Sequence, residues 1–515
     1  MVCNYFLRDE MNPEAVHNRV AGYAFLIEKY RLNVMPNWHV SLVSPTGTLR
    51  SAMQEDHVES IYPSSYWPGN SVGGHLEFAM KYDGVNLGIL SALFETIPED
   101  HILDILGYIN SKPTGKYARR IWFLFEFLTG KNLPLTNLTM GNYIEVLEPE
   151  LYYTATPGRR IQRQRVLDNL LGGRSFCPVI RRTEKLLIIE RIDLRKRCEE
   201  VVTAYPKELL RRALSYLYSK ETKSSFEIEH INPSASRTEK FIGLLEMAEY
   251  RDFCDKSLLI DLQNRIIDSR FCDSDYRKNQ NYVGQTISRQ KQRVHFICPK
   301  PADLPYLMEG LLLSHRMMKE SMVSAVVHAA AISYGFVFMH PFEDGNGRIH
   351  RFLIHNILSR RKLIPKGLMF PVSAAMLKNS AIYDHSLEAF SRPLLSLIEY
   401  TMDDLGQMTV QGETGRWYQY MDMTVQAEAL YDFVSLTIEN ELVEELDFLV
   451  SYDKTKQAIQ AIVDMPDRLI DLFIQLCLQN NGRLSARKHR AYFDFLTDDE
   501  LIRMEKAVQS GYEKE

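Results

Sequence analysis

The residues that could carry out chemistry are concentrated in one twelve-residue segment, 340–351, which reads His-Pro-Phe-Glu-Asp-Gly-Asn-Gly-Arg-Ile-His-Arg. His340 can take a proton from an attacking hydroxyl, because a neutral imidazole is a base near neutral pH. Asp344 offers the hard oxygen that Mg²⁺ prefers. Arg348 and Arg351 share a helix face and can bind phosphate oxygens. The segment therefore contains the parts that phosphoryl-type transfer needs.

The same segment predicts a tight corner between two helices. Pro341 ends the preceding helix, because the residue before a proline avoids the helical conformation. Gly345 and Gly347 permit a close turn, and a new helix begins near Asn346 or Gly347. The leading N–H groups and the dipole of that helix form a site for phosphate oxygens.

Apolar residues at helical spacing flank the corner and predict a buried helix on each side. They are Ala325, Ala329, Ile332 and Phe336 before it, and Ile349, Phe352, Leu353 and Ile357 after it. The apolar run 324–339 is too short and too interrupted to cross a bilayer, so no membrane span is expected.

At every defined position, segment 340–351 matches the Fic motif, histidine-x-phenylalanine-x-acidic-Gly-Asn-Gly-Arg-x-x-arginine. The resemblance implies a protein adenylyltransferase that uses ATP and Mg²⁺. In such an enzyme His340 deprotonates a Ser, Thr or Tyr hydroxyl of a target protein. Attack on the α-phosphate then leaves AMP on the target and releases pyrophosphate.

The resemblance also implies a role for each motif residue. Phe342 anchors the loop in the core, and Asp344 binds Mg²⁺. Arg348 binds the β- and γ-phosphates and Arg351 the γ-phosphate. The residues implied to form the anion hole are Gly345, Asn346 and Gly347.

A second resemblance lies upstream of the motif. Val294 and Phe296 alternate with other residues between 282 and 301, and prolines follow, which predicts a short hairpin. Residues 294–308 resemble the family's flap and the proline-rich segment after it. In the family the flap binds the target by strand-like pairing. The residues implied to dock the target are Val294, His295, Phe296 and Ile297.

Residues 222–231 resemble the N-terminal inhibitory helix of many Fic proteins, in which Ser/Thr-x-x-x-Glu precedes Gly or Asn. Ser225 and Glu229 have this spacing, whereas His230 departs from the pattern. The resemblance implies that Glu229 pairs with Arg351, lowers activity, and in some relatives also supports removal of AMP. A second match, with Glu439 as the glutamate, occurs at 435–440.

The predicted fold class is mainly α. A Fic-like helical domain at 206–400 carries the hairpin flap, a mixed domain precedes it at 1–205, and a helical domain follows at 401–515. Residues 116–130 predict a helix ended by Gly130, and 186–194 predict a strand. Thr497 and Glu500 predict a capping box for the last helix.

Composition favours a soluble cytoplasmic protein. The formal net charge is −5 and the sequence pI about 6.3, which does not suggest nucleic-acid binding. Seven cysteines stand singly, as expected for reduced thiols, and no signal peptide is recognised. The expected partner is a protein with an accessible hydroxyl. Modification of the chain itself and a homodimer are also expected from the resemblance.

Other functions remain open at this level. Doc-type kinases have lysine in place of the second glycine of the motif, so Gly347 argues against a kinase of this type. Transfer of UMP or phosphocholine fits the same motif. A nucleotide-binding or DNA-associated regulator could use the basic segments 159–165 and 483–490, although each also fits a solvated helix face. A metal hydrolase would use His340, His350 and His355, whose spacing does not suit helical ligand pairs.

Overall fold

The chain is mainly helical, as predicted from its sequence. The structure is a computed structural model that describes residues 18–288 and 291–512, without the side chains of 286–288 and 291–292. Packing divides the chain into two compact units. The first contains the described part of Met1–Ile192, Pro233–Leu363 and Asn379–Asp432, and the second contains Asp193–Asn232, Ile364–Lys378 and the described part of Phe433–Glu515. The division into 1–205, 206–400 and 401–515 stays a prediction.

The helices are α1 (Gly22–Tyr30), α2 (Val72–Phe78), α3 (Leu87–Thr96), α4 (Glu99–Ser111), α5 (Lys116–Thr129), α6 (Glu184–Glu190), α7 (Leu194–Thr203), α8 (Lys207–Glu227), α9 (Ala235–Met247), α10 (Lys256–Ile266), α11 (Leu304–Lys319), α12 (Ala325–Met339), α13 (Asn346–Arg360), α14 (Val372–Lys378), α15 (Ser380–Leu395), α16 (Arg416–Gln419), α17 (Thr424–Leu436), α18 (Leu442–Gln460), α19 (Asp467–Leu478), α20 (Ala486–Tyr492) and α21 (Asp498–Tyr512). The strands are β1 (Arg19–Ala21), β2 (His39–Ser44), β3 (Arg50–Met53), β4 (Val58–Pro63), β5 (Ile144–Glu145), β6 (Arg159–Ile161), β7 (Val166–Asp168), β8 (Tyr282–Ser288), β9 (Lys291–Ile297), β10 (Tyr400–Met402) and β11 (Met408–Val410).

The first unit begins with a mixed region, which agrees with the predicted fold class. Its four-stranded sheet has the order β1-β2-β4-β3, with β2 and β4 parallel and the other neighbours antiparallel. Helices α3 and α5 contribute side chains such as Leu90 and Leu124 to a buried apolar core beside this sheet. Helix α5 ends before Gly130, whose φ of 69° is left-handed, so the predicted helix end is confirmed.

Residues 186–190 belong to helix α6 and Leu194 begins α7, so the predicted strand is wrong. Helix α6 begins after Thr183, whose Oγ1 accepts a hydrogen bond from the N–H of Leu186 at 3.3 Å. Helix α7 begins after Asp193, whose carboxylate accepts one from the N–H of Lys196 at 3.0 Å. These caps satisfy the leading N–H groups of both helices. A short apolar run fits a strand and a buried helix face alike, so alternation alone misassigned it.

Helices α12 and α13 form the predicted helix–corner–helix. Ser324 caps α12, because its Oγ accepts from the N–H of Val327 at 3.2 Å. The helix is buried on nearly every side, which explains its continuous apolar sequence. Helix α13 runs back along it, since the rings of Tyr334 and His350 meet at 4.7 Å between centroids. The pair therefore brings residues 340–345 to one end of a rigid, buried element.

Strands β8 and β9 form the predicted hairpin. They pair antiparallel from Tyr282 opposite Ile297 to Ser288 opposite Lys291, with two irregularities of register. They make a two-stranded sheet, so within the described chain the outer edge of each strand has no strand partner. An unpaired strand edge of this kind is where a further strand can add to a hairpin.

The second unit contains α8, α18 and the C-terminal helices. Ile470, Phe473 and Met504 belong to an apolar core that α19 and α21 enclose. The predicted capping box is confirmed, because the N–H of Thr497 donates to Glu500 at 2.8 Å and the N–H of Glu500 donates to Thr497 Oγ1 at 3.3 Å.

No helix in the described ranges is long and apolar enough to cross a membrane. Each described cysteine is a free thiol, and all but Cys272 are buried.

Candidate active site

His340 lies at the corner where α12 ends. Its backbone is left-handed, with φ 49° and ψ 58°, and its N–H donates to Phe336 O at 2.9 Å. The ring Nδ1 lies 3.1 Å from Val337 O. Because a carbonyl oxygen can only accept, Nδ1 carries the proton of the neutral ring, and Nε2 keeps the lone pair that a general base needs. The backbone of α12 thus selects the tautomer suited to proton abstraction.

The loop after His340 is closed by one side chain. Asn346 Oδ1 accepts from the N–H of Phe342 at 3.0 Å, and Asn346 Nδ2 donates to Phe342 O at 2.7 Å. Phe342 is fully buried, with its ring centroid 6.0 Å from that of Tyr276 and 6.2 Å from that of Phe336. Phe342 is therefore placed to anchor the loop. Asn346 shapes the loop with its side chain.

The turn into α13 depends on glycine at position 345. Gly345 has a φ of 89°, which side chains rarely tolerate, and a Cβ there would lie 3.0 Å from Ile267 Cγ2. Gly347 lies in the first turn of α13. The leading N–H groups of a helix have no acceptor within it, so this turn presents donors to an anion.

Asp344 and Arg348 meet across one helical turn. Arg348 Nη2 donates to Asp344 Oδ1 at 3.0 Å, and Nη1 donates to Ile266 O at 3.4 Å. Arg348 is fully buried, whereas the Asp344 side chain is 53% exposed. Arg351, on the same helix face, is also buried. The motif therefore places the accessible carboxylate of Asp344 next to two buried guanidinium groups.

This donor set fits a magnesium-bound nucleotide. The Asp344 carboxylate is accessible and is a hard oxygen ligand. Guanidinium groups and the N–H groups at a helix start are strong phosphate donors. Magnesium would supply positive charge to the phosphates when bound.

Gln263 and Asp273, which the sequence did not suggest, form hydrogen bonds with the backbone of the motif loop. Gln263 Nε2 donates to Asp344 O at 3.4 Å and to Asp273 Oδ2 at 3.1 Å. Asp273 Oδ2 also accepts from the N–H of Glu343 at 3.3 Å. Burial raises the pKa of Asp273, the Glu343 N–H lowers it, and the Asp344 charge raises it. The two contacts with the motif loop join residues 70 or more positions apart, so no local pattern could have revealed them.

The predicted flap residues fall into two groups. Val294 and His295 are half-buried, whereas Phe296 and Ile297 are buried. The Phe296 ring packs near Phe338 of α12, at 6.0 Å between centroids. Phe296 and Ile297 therefore anchor the hairpin in the core, and a docked segment would meet its backbone and the outer residues. The target-docking role of Val294, His295, Phe296 and Ile297 stays a prediction.

The candidate inhibitory residues lie in the second unit, whereas the motif lies in the first. Ser225 is fully buried in α8, and Glu229 is half-buried in the turn after it. His230 has a left-handed φ of 55°, a conformation that Gly and Asn adopt readily. The departure from the family pattern therefore falls at a helix-ending position. The competing Glu439 is exposed in the π-helical turn Thr437–Glu441. The inhibitory role stays a prediction for both glutamates.

The three histidines of the alternative metal hydrolase do not form a metal site. His350 and His355 are buried in α13, and burial lowers the pKa of His350 to about 3. Among the described residues, the close group of three potential metal ligands is Asp252, Cys254 and His315, which shares no member with that set.

The basic segment 159–165 begins as strand β6, so its interpretation as a helix face is wrong. Arg159 pairs with Asp168 at 3.0 Å, and Arg163 pairs with Glu126 at 3.0 Å. These two cations are neutralised within the unit, which weakens their case as a nucleic-acid patch.

Comparison with known proteins identifies the domain around this site. The model of the Fic/DOC family matches residues 253–358. The chain carries a Fic domain.

Among curated relatives, the Fic domain is similar to "Protein adenylyltransferase Fic" of Drosophila sechellia and of Drosophila melanogaster. Each is 36% identical over 86 residues, which cover 17% of this chain and 15% of the relative. The match thus spans about one seventh of the length of these relatives.

Two solved structures also align with the chain, both at a TM-score of 0.34. A Fic family protein from Desulfovibrio desulfuricans G20 is 17% identical, with 63% of this chain and 84% of that chain covered. A Fic domain containing signaling protein from Bacteroides thetaiotaomicron is 19% identical, with 49% and 95% covered.

Proposed function

We propose that the chain is a protein adenylyltransferase that transfers AMP from ATP to a Ser, Thr or Tyr hydroxyl of a target protein. The observation that carries the proposal is the arrangement at His340. Its Nδ1 is committed to Val337 O, so Nε2 is the basic nitrogen, and it stands at the corner leading into the phosphate-binding motif. A base at the rim of an anion site is the arrangement that nucleotidyl transfer to a hydroxyl requires.

In the proposed reaction His340 Nε2 takes the proton of the target hydroxyl. The hydroxyl oxygen bonds to the α-phosphorus, and the bond from that phosphorus to pyrophosphate breaks. Arg348 binds the β- and γ-phosphates and Arg351 the γ-phosphate, while the first turn of α13 binds phosphate oxygens through its N–H groups. Asp344 would hold the magnesium ion, with its carboxylate released from Arg348.

The proposal includes a built-in inhibitor. Glu229, with Ser225 one turn before it, would pair with Arg351 and so occupy the charge that the γ-phosphate needs. The resting activity is then low. The same glutamate could position a water that removes AMP from targets, which makes removal a second proposed activity.

The substrate protein, modification of the chain itself, homodimer formation and a cytoplasmic location belong to this proposal. The near-neutral charge supports a protein target over nucleic acid. UMP or phosphocholine is the alternative cargo, because the motif binds phosphates and not the base or head group.

The test is incubation of the chain and a cell lysate with Mg²⁺ and α-labelled ATP, followed by mass spectrometry. His340→Ala should abolish the adduct, and Glu229→Gly should raise it by about tenfold or more, because Arg351 becomes available. The mass of the adduct identifies the transferred group.

Glu439→Gly is the matched control and should leave the adduct unchanged. If Glu439→Gly activates and Glu229→Gly does not, the inhibitory assignment is reversed. If no variant forms a His340-dependent adduct from any nucleotide, the transferase proposal is wrong.

A further inference from the structure

Arg277 lies in the segment just before the flap hairpin and is almost completely buried. Its N–H donates to Pro341 O at 2.8 Å, and its Nε donates to His340 O at 2.8 Å. Its Nη1 donates to Asn279 O at 2.7 Å, and its Nη2 donates to Pro299 O at 2.6 Å. One residue thus binds both carbonyl groups of the catalytic corner and the backbone at the end of the flap.

The chemistry of Arg277 is unusual for a buried cation. The three acceptors of its guanidinium group are neutral carbonyl groups, and within the described chain no carboxylate forms an ion pair with it. Burial lowers its pKa, which reflects the loss of water around the charge. Burying an unpaired charge is unfavourable. The fixed, planar set of donors that only a guanidinium group provides offsets this cost by binding several carbonyl groups at once.

The carbonyl groups that Arg277 binds belong to two parts of the proposed site. His340 carries the base. Pro299 follows β9 by two residues, and Phe296 and Ile297 at the end of β9 are buried. Neighbouring bonds strengthen the same junction, because Gln280 Nε2 donates to Cys298 O at 2.7 Å and Asn279 Nδ2 donates to Glu343 at 3.1 Å.

We propose that Arg277 is a positioning residue that holds the flap in register with His340. A target segment paired with the flap then presents its hydroxyl at a fixed distance from Nε2. The inference rests on the proposed transfer to a flap-bound target. Arg277 itself touches neither nucleotide nor target.

The test compares Arg277→Met and Arg277→Lys with Arg361→Met, a change of another arginine that donates to neutral carbonyl groups in the same unit. The readouts are the transfer rate, the Kd for ATP, and backbone hydrogen exchange of 282–297 and 338–342. Arg277→Met should lower the transfer rate by about 100-fold, because a displacement of about 1 Å is enough for that loss.

The Kd for ATP should change by less than about threefold, because the phosphate-binding groups stay in place. Exchange should rise in the flap and in the corner together. Arg361→Met should change neither the transfer rate per folded molecule nor the exchange of these segments. Arg277→Lys keeps the charge but not the planar donors, so it should show the same pattern as Arg277→Met. It replaces Arg277→Met in the test if the methionine variant does not fold.

Transfer within about threefold of the parent would overturn the inference. So would a loss of ATP binding in step with transfer, or faster exchange in the flap alone. If the parent and Glu229→Gly form no adduct, the proposed function fails, and the exchange of the two segments still decides the role of Arg277.

Discussion

The two ends of the α12–α13 pair are held by two arginines that use nearly the same chemistry. Arg277 binds the carbonyl groups of the corner at one end. Arg361, just after α13, donates to Met318 O at 2.6 Å and to Ser321 O at 3.3 Å at the other end. Burial lowers the pKa of both guanidinium groups, and in the described chain neither forms an ion pair. The two arginines make the same types of hydrogen bond. They differ in which residues carry the carbonyl groups that accept these bonds.

The histidines at the two ends show what that difference means. Arg361 also donates to His328 Nδ1 at 3.3 Å, so His328 Nε2 carries the proton and donates to His315 Nδ1 at 3.1 Å. His315 Nε2 in turn donates to Asp252. Both ring nitrogens of His328 are therefore used inside the fold.

At the corner, the ring Nδ1 of His340 lies 3.1 Å from Val337 O, a carbonyl group of its own helix. One end of the helix pair uses its histidines as structural links. At the other end, the contact with Val337 O fixes the tautomer of the histidine that we propose as the base.

The largest contrast is expected between two asparagines of α13. Asn346 closes the motif loop, so Asn346→Ala should lower the transfer rate by about 100-fold to 1000-fold, because the loop that carries the anion site loses its shape. The measurement is the initial rate of adduct formation per folded molecule.

Asn356→Ala is the control, because Asn356 makes similar bonds to backbone of residues 248–253 at the other end. It should lower stability and leave the rate within about threefold of the parent. Equal losses of rate in both variants would mean that the two ends are not functionally distinct.

Arg361→Met tests the same contrast through stability. The change leaves several carbonyl groups without their donor, so it should lower the free energy of unfolding by about 2–4 kcal/mol. Urea unfolding followed by circular dichroism measures the loss. A loss below about 0.5 kcal/mol would show that water replaces the guanidinium, and that Arg361 is not a structural link.

The smallest effect concerns His350, between the two ends. Its folded pKa of about 3 lies below the unfolded value, so the unfolded chain binds more protons and stability falls as pH drops below about 6.5. The slope is roughly 1.4 kcal/mol per pH unit for this group. Unfolding of the parent and of His350→Leu at about pH 7.5 and about pH 5 should therefore differ by roughly 2 kcal/mol in their pH response. An unchanged response would show that the folded pKa of His350 is not lowered from its unfolded value.

The sequence was sufficient for the elements that carry local patterns. The corner at 340–351, the buried helices on either side and the hairpin at 282–301 each follow from spacing, glycine or proline, and the structure places them as predicted. The strand predicted at 186–194 was wrong because a short apolar run does not distinguish a strand from a capped helix.

The supports of the site could not be predicted. Arg277 reaches His340 across 63 residues, and Asn356 reaches Phe253 across 103. Both bind backbone carbonyl or N–H groups, which every residue possesses, so no complementary residue type appears in the sequence. Contacts of this kind become visible only when the chain is folded.

The left-handed backbone of His340 has a consequence for how this chain can change. A residue with a side chain is disfavoured there by about 1 kcal/mol, and glycine would relieve the conformation. A laboratory selection for thermal stability alone would therefore reward replacement of His340 by glycine and collect inactive proteins. Only a selection that also demands turnover would keep the histidine at this position.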